Sequence, residues 1–282
     1  MIKDIPALIE HLKAKIVAQT DVAVIGLSGG ADSTLVAILC MLALGKENVV
    51  GVHMPYDETD TEGTKFNARS VRLARKLEIV EKYVPIANIA DAICESIGPY
   101  PQGIKPSRQW AKELTDLDEG NARARARMCV LYGLTGLLSH QDFPGKRIQV
   151  AGTGNLSEDL IGFFTKQGDS AVDFSPLGGL FKSEVYQLLN YFRDQGTIDE
   201  DHIDRVPSPG LWFGHTAEGE LGYKYNDMEP IIRNMIPRDR NYANGIIACK
   251  TEGIEGFIQK RYWANRHKLM APPIFDVSEF VD

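Results

Sequence analysis

The 282-residue chain lacks an excess of positive charge. Its 31 Lys and Arg face 38 Asp and Glu, for a net charge of -7. Such a chain is poorly suited to long nucleic acid or an anionic membrane, whose binding rests on many cations. A single nucleotide remains possible, because it needs only local cations and backbone amides. Paired cysteines are lacking too. Cys40, Cys94, Cys129 and Cys249 stand far apart, so no CxxC and no zinc-type spacing exists. They read as reduced thiols of a cytoplasmic protein. No long apolar run is present. The stretch Leu35 to Leu44 is too short to span a bilayer, and Met1 to Pro6 carries no signal-type apolar segment.

Two common phosphate-binding patterns are also missing. No GxxxxGK[ST] occurs, which disfavours γ-phosphoryl transfer of the Walker type. Gly26-Leu27-Ser28-Gly29-Gly30-Ala31 fails GxGxxG, and Gly152-Thr153-Gly154 has Ser157 where the third glycine belongs. Hydride transfer on a dinucleotide is therefore disfavoured.

What is present is an alternation of buried-strand and helix patterns. Apolar spacing predicts a helix over 4–18. Val22 to Leu27 is a continuous apolar run, as in a strand covered on both faces. A helix over 33–44, a strand over 49–54, a helix ending near Leu77 and a strand over 80–86 follow. Residues 87–97 read as helix, 99–118 as loop, 121–138 as a long helix and 147–153 as a fourth strand. A helix is expected over 182–192, a long loop over 196–227, helix again over 239–265, and an irregular tail from Ala271. Repeated βα units imply an α/β fold, a doubly wound parallel sheet with helices on both faces. With no repeat or low-complexity linker, one domain over 1–282 is expected.

The turn after the first inner strand holds Gly26, Leu27, Ser28, Gly29, Gly30, Ala31, Asp32 and Ser33. A strand, a glycine-rich turn and a helix N-terminus together make an anion site. A carboxylate there repels phosphate unless a cation intervenes. Asp32 therefore implies Mg²⁺, which favours carboxylate and phosphate oxygens. Taken alone, Asp32 could also be a helix-terminal charge. The segment Gly152 to Glu158 is compatible with a plain helix cap by Asn155 or Ser157.

Ser28-Gly29-Gly30-Ala31-Asp32-Ser33 resembles the SGGxDS loop of the N-type ATP pyrophosphatases, whose loop grips the two phosphates that leave together. Four blocks in order then resemble the NAD synthetases. They are that loop, Gly120 to Met128, Gly152 to Lys182 with Gly162-Phe163-Phe164-Thr165-Lys166-Gln167-Gly168-Asp169 inside it, and Gly219-Glu220-Leu221-Gly222 after Thr216. His267-Lys268 is a fifth, weaker match. The resemblance spans about residues 20 to 270.

It implies an adenine-nucleotide α-hydrolase-like fold and an ammonia-dependent ligase. ATP would adenylate the pyridine carboxylate of deamido-NAD, pyrophosphate would leave, and ammonia would displace AMP to give NAD. By the same resemblance, Gly26 to Ser33, Thr153, Lys182 and Ser208 would contact ATP, and Asp32 and Glu158 would hold Mg²⁺. Arg127, Lys166, Asp173, His267 and Lys268 would bind deamido-NAD. Asp32, Asp169 and Lys182 would carry the catalysis, Asp169 taking a proton from ammonium. A homodimer is implied as well. Only about twenty residues precede the first inner strand, so no glutaminase domain is expected in this chain. Trp212-Phe213-Gly214-His215 departs from the family's Trp-Glu-Gly-Gln pattern. A different amidating ligase on the same fold, a tRNA thiolase or a non-catalytic nucleotide sensor are the alternatives. The missing cysteine pair and the acidic charge weigh against the thiolase. The joint presence of Asp32, Glu158, Lys166 and Lys182 weighs against the sensor.

Overall fold

Four short strands set the frame. They are β1 (Val22–Gly26), β2 (Val49–His53), β3 (Val80–Tyr83) and β4 (Ile148–Ala151). In the computed structural model, which describes residues 1–56, 61–97, 115–203, 216–235 and 252–270, all four are parallel, in the order β3-β2-β1-β4. Val22, Ala23, Val24 and Ile25 are fully buried, which the continuous apolar run foretells. Ile25 pairs with Gly51 on one side and Ala151 on the other, so the C-terminal ends of three strands are level.

Helices cover both faces. Ala23 and Ile25 pack toward α1 (Ile5–Gln19), α2 (Ala31–Leu44), α3 (Thr61–Leu77) and α7 (Lys182–Asp194). Val22, Val24, Val50 and Val52 pack toward α4 (Ala87–Ile97) and α5 (Asp116–Gln141). A third apolar cluster joins α6 (Leu156–Leu160), α8 (Ala217–Leu221), α9 (Tyr225–Met235) and α10 (Gly253–Leu269) with Phe181.

Several boundaries differ from the sequence reading. Helix α5 starts at Asp116 and not near 121, because Thr115 and Asp118 form a reciprocal capping box. Residues 116–118 are thus helix and not loop. Helix α2 starts two residues early, with Gly30 as its N-cap. Strands β3 and β4 are shorter than expected, and beyond Ala151 the Gly152 N–H turns to the Phe174 carbonyl at 2.8 Å. The expected loop over 196–227 contains α8 and the start of α9. The last helix runs to Leu269, and 239–251 lie outside the described residues. Among the described residues, no helix is long and apolar enough to cross a membrane.

Candidate active site

Strand β1 is central, with β2 and β4 on its two sides, so the chain order reverses across it. In such sheets the crevice beyond the strand C-termini is where ligands bind. The Gly26-to-Ser33 loop lies there. Gly29 sits at φ +73°, a left-handed turn that a side chain would strain. The Ser28 hydroxyl accepts the Gly30 N–H at 3.2 Å and lies 3.0 Å from the Ser33 hydroxyl, which reaches the Gly30 carbonyl at 3.1 Å. The loop is thereby wired to itself. The N-terminus of α2 has no side-chain cap, so its first N–H groups face the crevice.

Beside the loop is a charged centre assembled from three elements. The Lys182 ammonium, at the start of α7, donates to the Asp32 carboxylate and to Glu158 Oε1 at 3.2 Å. Asn155 fixes the two acids from between. Its Nδ2 donates to Asp32 Oδ1 at 3.1 Å, and its Oδ1 caps α6 by accepting the Glu158 N–H at 3.2 Å. The Lys182 side chain is only 5% exposed. Burial raises the Glu158 pKa to about 7 against the pull of Lys182. Lys182 is pushed up by Asp32 and Glu158 despite its burial. Two carboxylates against one ammonium leave excess negative charge, in hard oxygen ligands that suit Mg²⁺.

A buried relay holds this centre from behind. Ser157 Oγ donates to Glu229 of α9 at 2.7 Å and accepts the Lys182 N–H at 2.9 Å. Glu229 also accepts the Ser183 N–H at 3.1 Å. Neither Ser157 nor Glu229 is among the site residues read from sequence.

A cavity of about 180 Å³ adjoins the centre, lined by Gly154, Glu158, Asp159, Phe164, Asp169 and Lys268 among others. Asp169 stands at its open side, and the Thr165 N–H donates to Oδ1 at 2.7 Å. The protein around this carboxyl raises its pKa, while Lys268 and Arg127 pull it down. Asp159, unnoticed in the sequence, is raised to about 7 by burial and by Glu158 and Asp169. Its only sequence signal is its place next to Glu158.

The dinucleotide residues divide. Arg127 is half-buried, reaches the Met54 carbonyl at 3.4 Å, and has no carboxylate partner among the described residues. Burial and the neighbouring Arg123 lower its pKa to about 10. A guanidinium so placed suits an incoming anion. Lys166 has no ion pair among the described residues, and Thr153 follows β4 half-exposed. Asp173 has partners within the fold: its carboxylate takes the Tyr132 hydroxyl at 3.2 Å and the Val150 N–H at 2.7 Å, at the edge of the sheet. Lys268 donates to the Gly162 and Phe164 carbonyls at 3.0 and 2.9 Å, and Arg261 to the Ile161 carbonyl at 3.0 Å. Helix α10 thus braces the turn that carries Lys166 and Asp169. His267 is exposed, and its ring lies 3.2 Å from the Ala264 carbonyl of its own helix. Ser208 and the Trp212–His215 departure lie outside the described residues.

An anion-binding loop on the central strand of a parallel sheet, with a lysine-bridged carboxylate pair beside it, defines an ATP-using α/β protein of the adenine-nucleotide α-hydrolase-like fold. Residues 4–272 match the NAD synthase family model. The chain is 36% identical over 265 residues to the NH(3)-dependent NAD(+) synthetase of Methanosarcina acetivorans, covering 91% of each chain. It is 35% identical to that of Methanocaldococcus jannaschii, covering 89% of this chain and 87% of the relative. Among solved structures, the NH3-dependent NAD synthetase of Campylobacter jejuni, in complex with nitrate, is similar with a TM-score of 0.70 at 28% identity, covering 98% of this chain and 100% of that one. An NMN synthetase of Francisella tularensis shares the fold, with a TM-score of 0.72 at 24% identity and the same coverage. The chain belongs to the NAD synthase family.

Proposed function

We propose that this chain amidates deamido-NAD with ammonia at the expense of ATP, giving NAD, AMP and pyrophosphate. The observation that carries this reading is the convergence of the phosphate loop, the Asp32–Lys182–Glu158 centre and the Asp169 cavity in one crevice. The relatives named above support the choice of substrates.

Chemically, a pyridine carboxylate resists amide formation because its oxygen leaves poorly. Attack of that carboxylate on the α-phosphorus of ATP forms the acyl-adenylate and breaks the bond to pyrophosphate. The N–H groups at the start of α2, with Ser28 and Ser33, hold the departing phosphates. Asp32 and Glu158 would hold Mg²⁺, which supplies positive charge against the pyrophosphate. Lys182 adds a second positive charge on the same side. Thr153 and Ser208 complete the ATP contacts. Arg127 and Lys166 receive the anionic groups of the dinucleotide. Asp173, His267 and Lys268 are the further dinucleotide contacts that the family resemblance implies, and Lys268 also shapes the loop at 162–164. Asp169 accepts a proton from ammonium, and the neutral ammonia attacks the carbonyl carbon while AMP leaves.

The raised pKa of Asp169 supports this role, since a carboxyl at the cavity mouth that surrounding protein partly withdraws from water is a better base than one in bulk solvent. We further propose a single domain acting in the cytoplasm as a homodimer. The outer face of α5 supports pairing: a Cβ on Gly133 or Gly136 would meet nothing within 4 Å, and Leu137 is 48% exposed. The test is direct. Purified protein with deamido-NAD, ATP, Mg²⁺ and ammonium should form NAD with equal amounts of AMP and pyrophosphate. Turnover only with nicotinic acid mononucleotide would replace the substrate. No pyrophosphate with any carboxylate would make the chain a nucleotide sensor.

A further inference from the structure

We propose that Glu229 is a positioning residue of the reaction: its buried carboxylate, reaching across from α9, caps the start of α7 and so fixes the place of Lys182 beside Glu158. This deepens the ATP-dependent reading above and rests on it. Glu229 is 3% exposed, and Ser157 is fully buried beside it. Helix α7 begins at Lys182, and the side chain of its N-cap, Phe181, has no oxygen to offer the first N–H groups. Two groups from other elements take that part. Glu229 Oε1 accepts the Ser183 N–H at 3.1 Å, and Ser157 Oγ accepts the Lys182 N–H at 2.9 Å. A carboxylate is the charge that a helix N-terminus favours.

The Ser157 hydroxyl has one hydrogen to give. Glu229 Oε1 takes it at 2.7 Å, which leaves the Ser157 lone pairs for the Lys182 N–H. Ser157 directly precedes Glu158 in α6. Lys182 is therefore joined to the Glu158 segment twice. Its backbone is held through Ser157, and its ammonium reaches Glu158 Oε1 at 3.2 Å while also meeting the Asp32 carboxylate. Glu229 itself is held firmly, because Met228 and Ile232 of the same helix are buried in the apolar cluster with Leu156 and Phe181.

Without the Glu229 acceptor, the Ser157 hydroxyl is free to turn and the Ser183 N–H is stranded. Lys182 then keeps its ion pairs on a backbone that has lost its tie. A displacement of about 1 Å at such a group costs on the order of a hundredfold in rate. Glu229 lies behind the centre, so it acts through Lys182 and not on the substrate.

Two substitutions in the full-length protein separate these parts. Glu229→Met keeps the length of the side chain and removes the acceptor, whereas Glu229→Gln keeps one oxygen for both Ser157 and Ser183. Turnover at saturating substrates should fall about a hundredfold in the Met variant, with the KM for deamido-NAD unchanged, and stay near wild type in the Gln variant. The dissociation constant of Mg²⁺-pyrophosphate, measured by calorimetry, should rise about tenfold in the Met variant alone. In a Lys182→Met background, Glu229→Met should add no further loss of that affinity, because the group it places is gone. A purely structural acid would not give this pattern. Equal losses in the Met and Gln variants, a KM rise in place of the fall in turnover, or a full second loss of affinity in the Lys182→Met background would each overturn the proposal. If Glu229→Met does not fold, Ser157→Ala removes the same bridge and should show the same losses; wild-type values there would overturn it. Wild-type protein that binds Mg²⁺-pyrophosphate but forms no NAD would refute the proposed reaction, and the affinity cycle would still decide the role of Glu229.

Discussion

Replacing Lys182 by Met removes one charge from a site that is 5% exposed and changes the side-chain volume little. The wild-type centre is already under electrostatic load. Glu158 is lifted from an ordinary 4.5 to about 7 by burial, with Lys182 opposing the rise. At roughly 1.4 kcal/mol per tenfold, that lift corresponds to about 3 kcal/mol of unfavourable free energy for the ionised form in the folded state. Without Lys182, Asp32 and Glu158 face each other with no cation between them. Breaking a buried pair from one side typically costs about 3–5 kcal/mol.

The pH dependence has a definite sign. A carboxyl whose folded-state pKa is raised binds its proton more tightly in the folded protein. Its contribution to stability is complete below the unfolded value of 4.5 and is lost as pH rises through about 7. The Met variant pushes Glu158 higher still, so its deficit against wild type opens as pH rises. Urea unfolding of both proteins at pH 5 and pH 8 measures it. The expected deficit is about 3 kcal/mol at pH 8 and under about 1 kcal/mol at pH 5. Added Mg²⁺ should recover part of the loss at pH 8 and more for the variant than for wild type. A deficit equal at both pH values, or a variant more stable than wild type at pH 8, would mean that Lys182 does not neutralise the pair.

Asp32→Ala should abolish turnover while leaving the circular dichroism spectrum unchanged; full activity would refute the magnesium assignment. Asp169→Asn should make the rate follow the free-ammonia fraction, rising about tenfold per pH unit below the pKa of ammonium at fixed total ammonium, whereas wild type rises less steeply. Equal slopes would remove Asp169 as the base. Gly162→Ala should lower the thermal midpoint by several degrees, because φ is +64° and a Cβ would lie 2.1 Å from that of Asn265. An unchanged midpoint would show that α10 is not packed against this turn.

The sheet was legible because its central strand is apolar at every position from Val22 to Ile25 and bounded by glycine. The phosphate loop was legible because its residues are contiguous. Helix α9 was not. Its first three residues fall in the expected loop over 196–227 and Pro230 interrupts the rest, although Tyr225, Met228, Ile232 and Met235 carry a helical spacing. With α9 hidden, Glu229 was hidden too, since its role exists only through contact with α6 and α7. Thr115 and Asp118 escaped notice for a different reason: the proline-rich stretch before them masked the cap of α5. Asp173 shows the converse limit. The family resemblance points to substrate binding, and the structure adds two partners that spacing does not reveal: one oxygen takes the Val150 N–H of β4, 23 residues away, and the other the Tyr132 hydroxyl of α5, 41 residues away.

Helix α10 grips the turn at 161–164 through carbonyl oxygens, by Arg261 and Lys268. Carbonyls are the same whatever side chains the turn bears, so its residues can vary while the grip persists. The grip also comes last in chain order. During synthesis, β1 to β4 and Asp32, Glu158 and Lys182 are all made before α10 emerges. Ile258 and Tyr262 of α10 also complete the apolar cluster around α6, so both Glu158 and the turn bearing Asp169 lie against an element made late. The brace on the turn bearing Asp169 is therefore the last of these contacts that the growing chain can make.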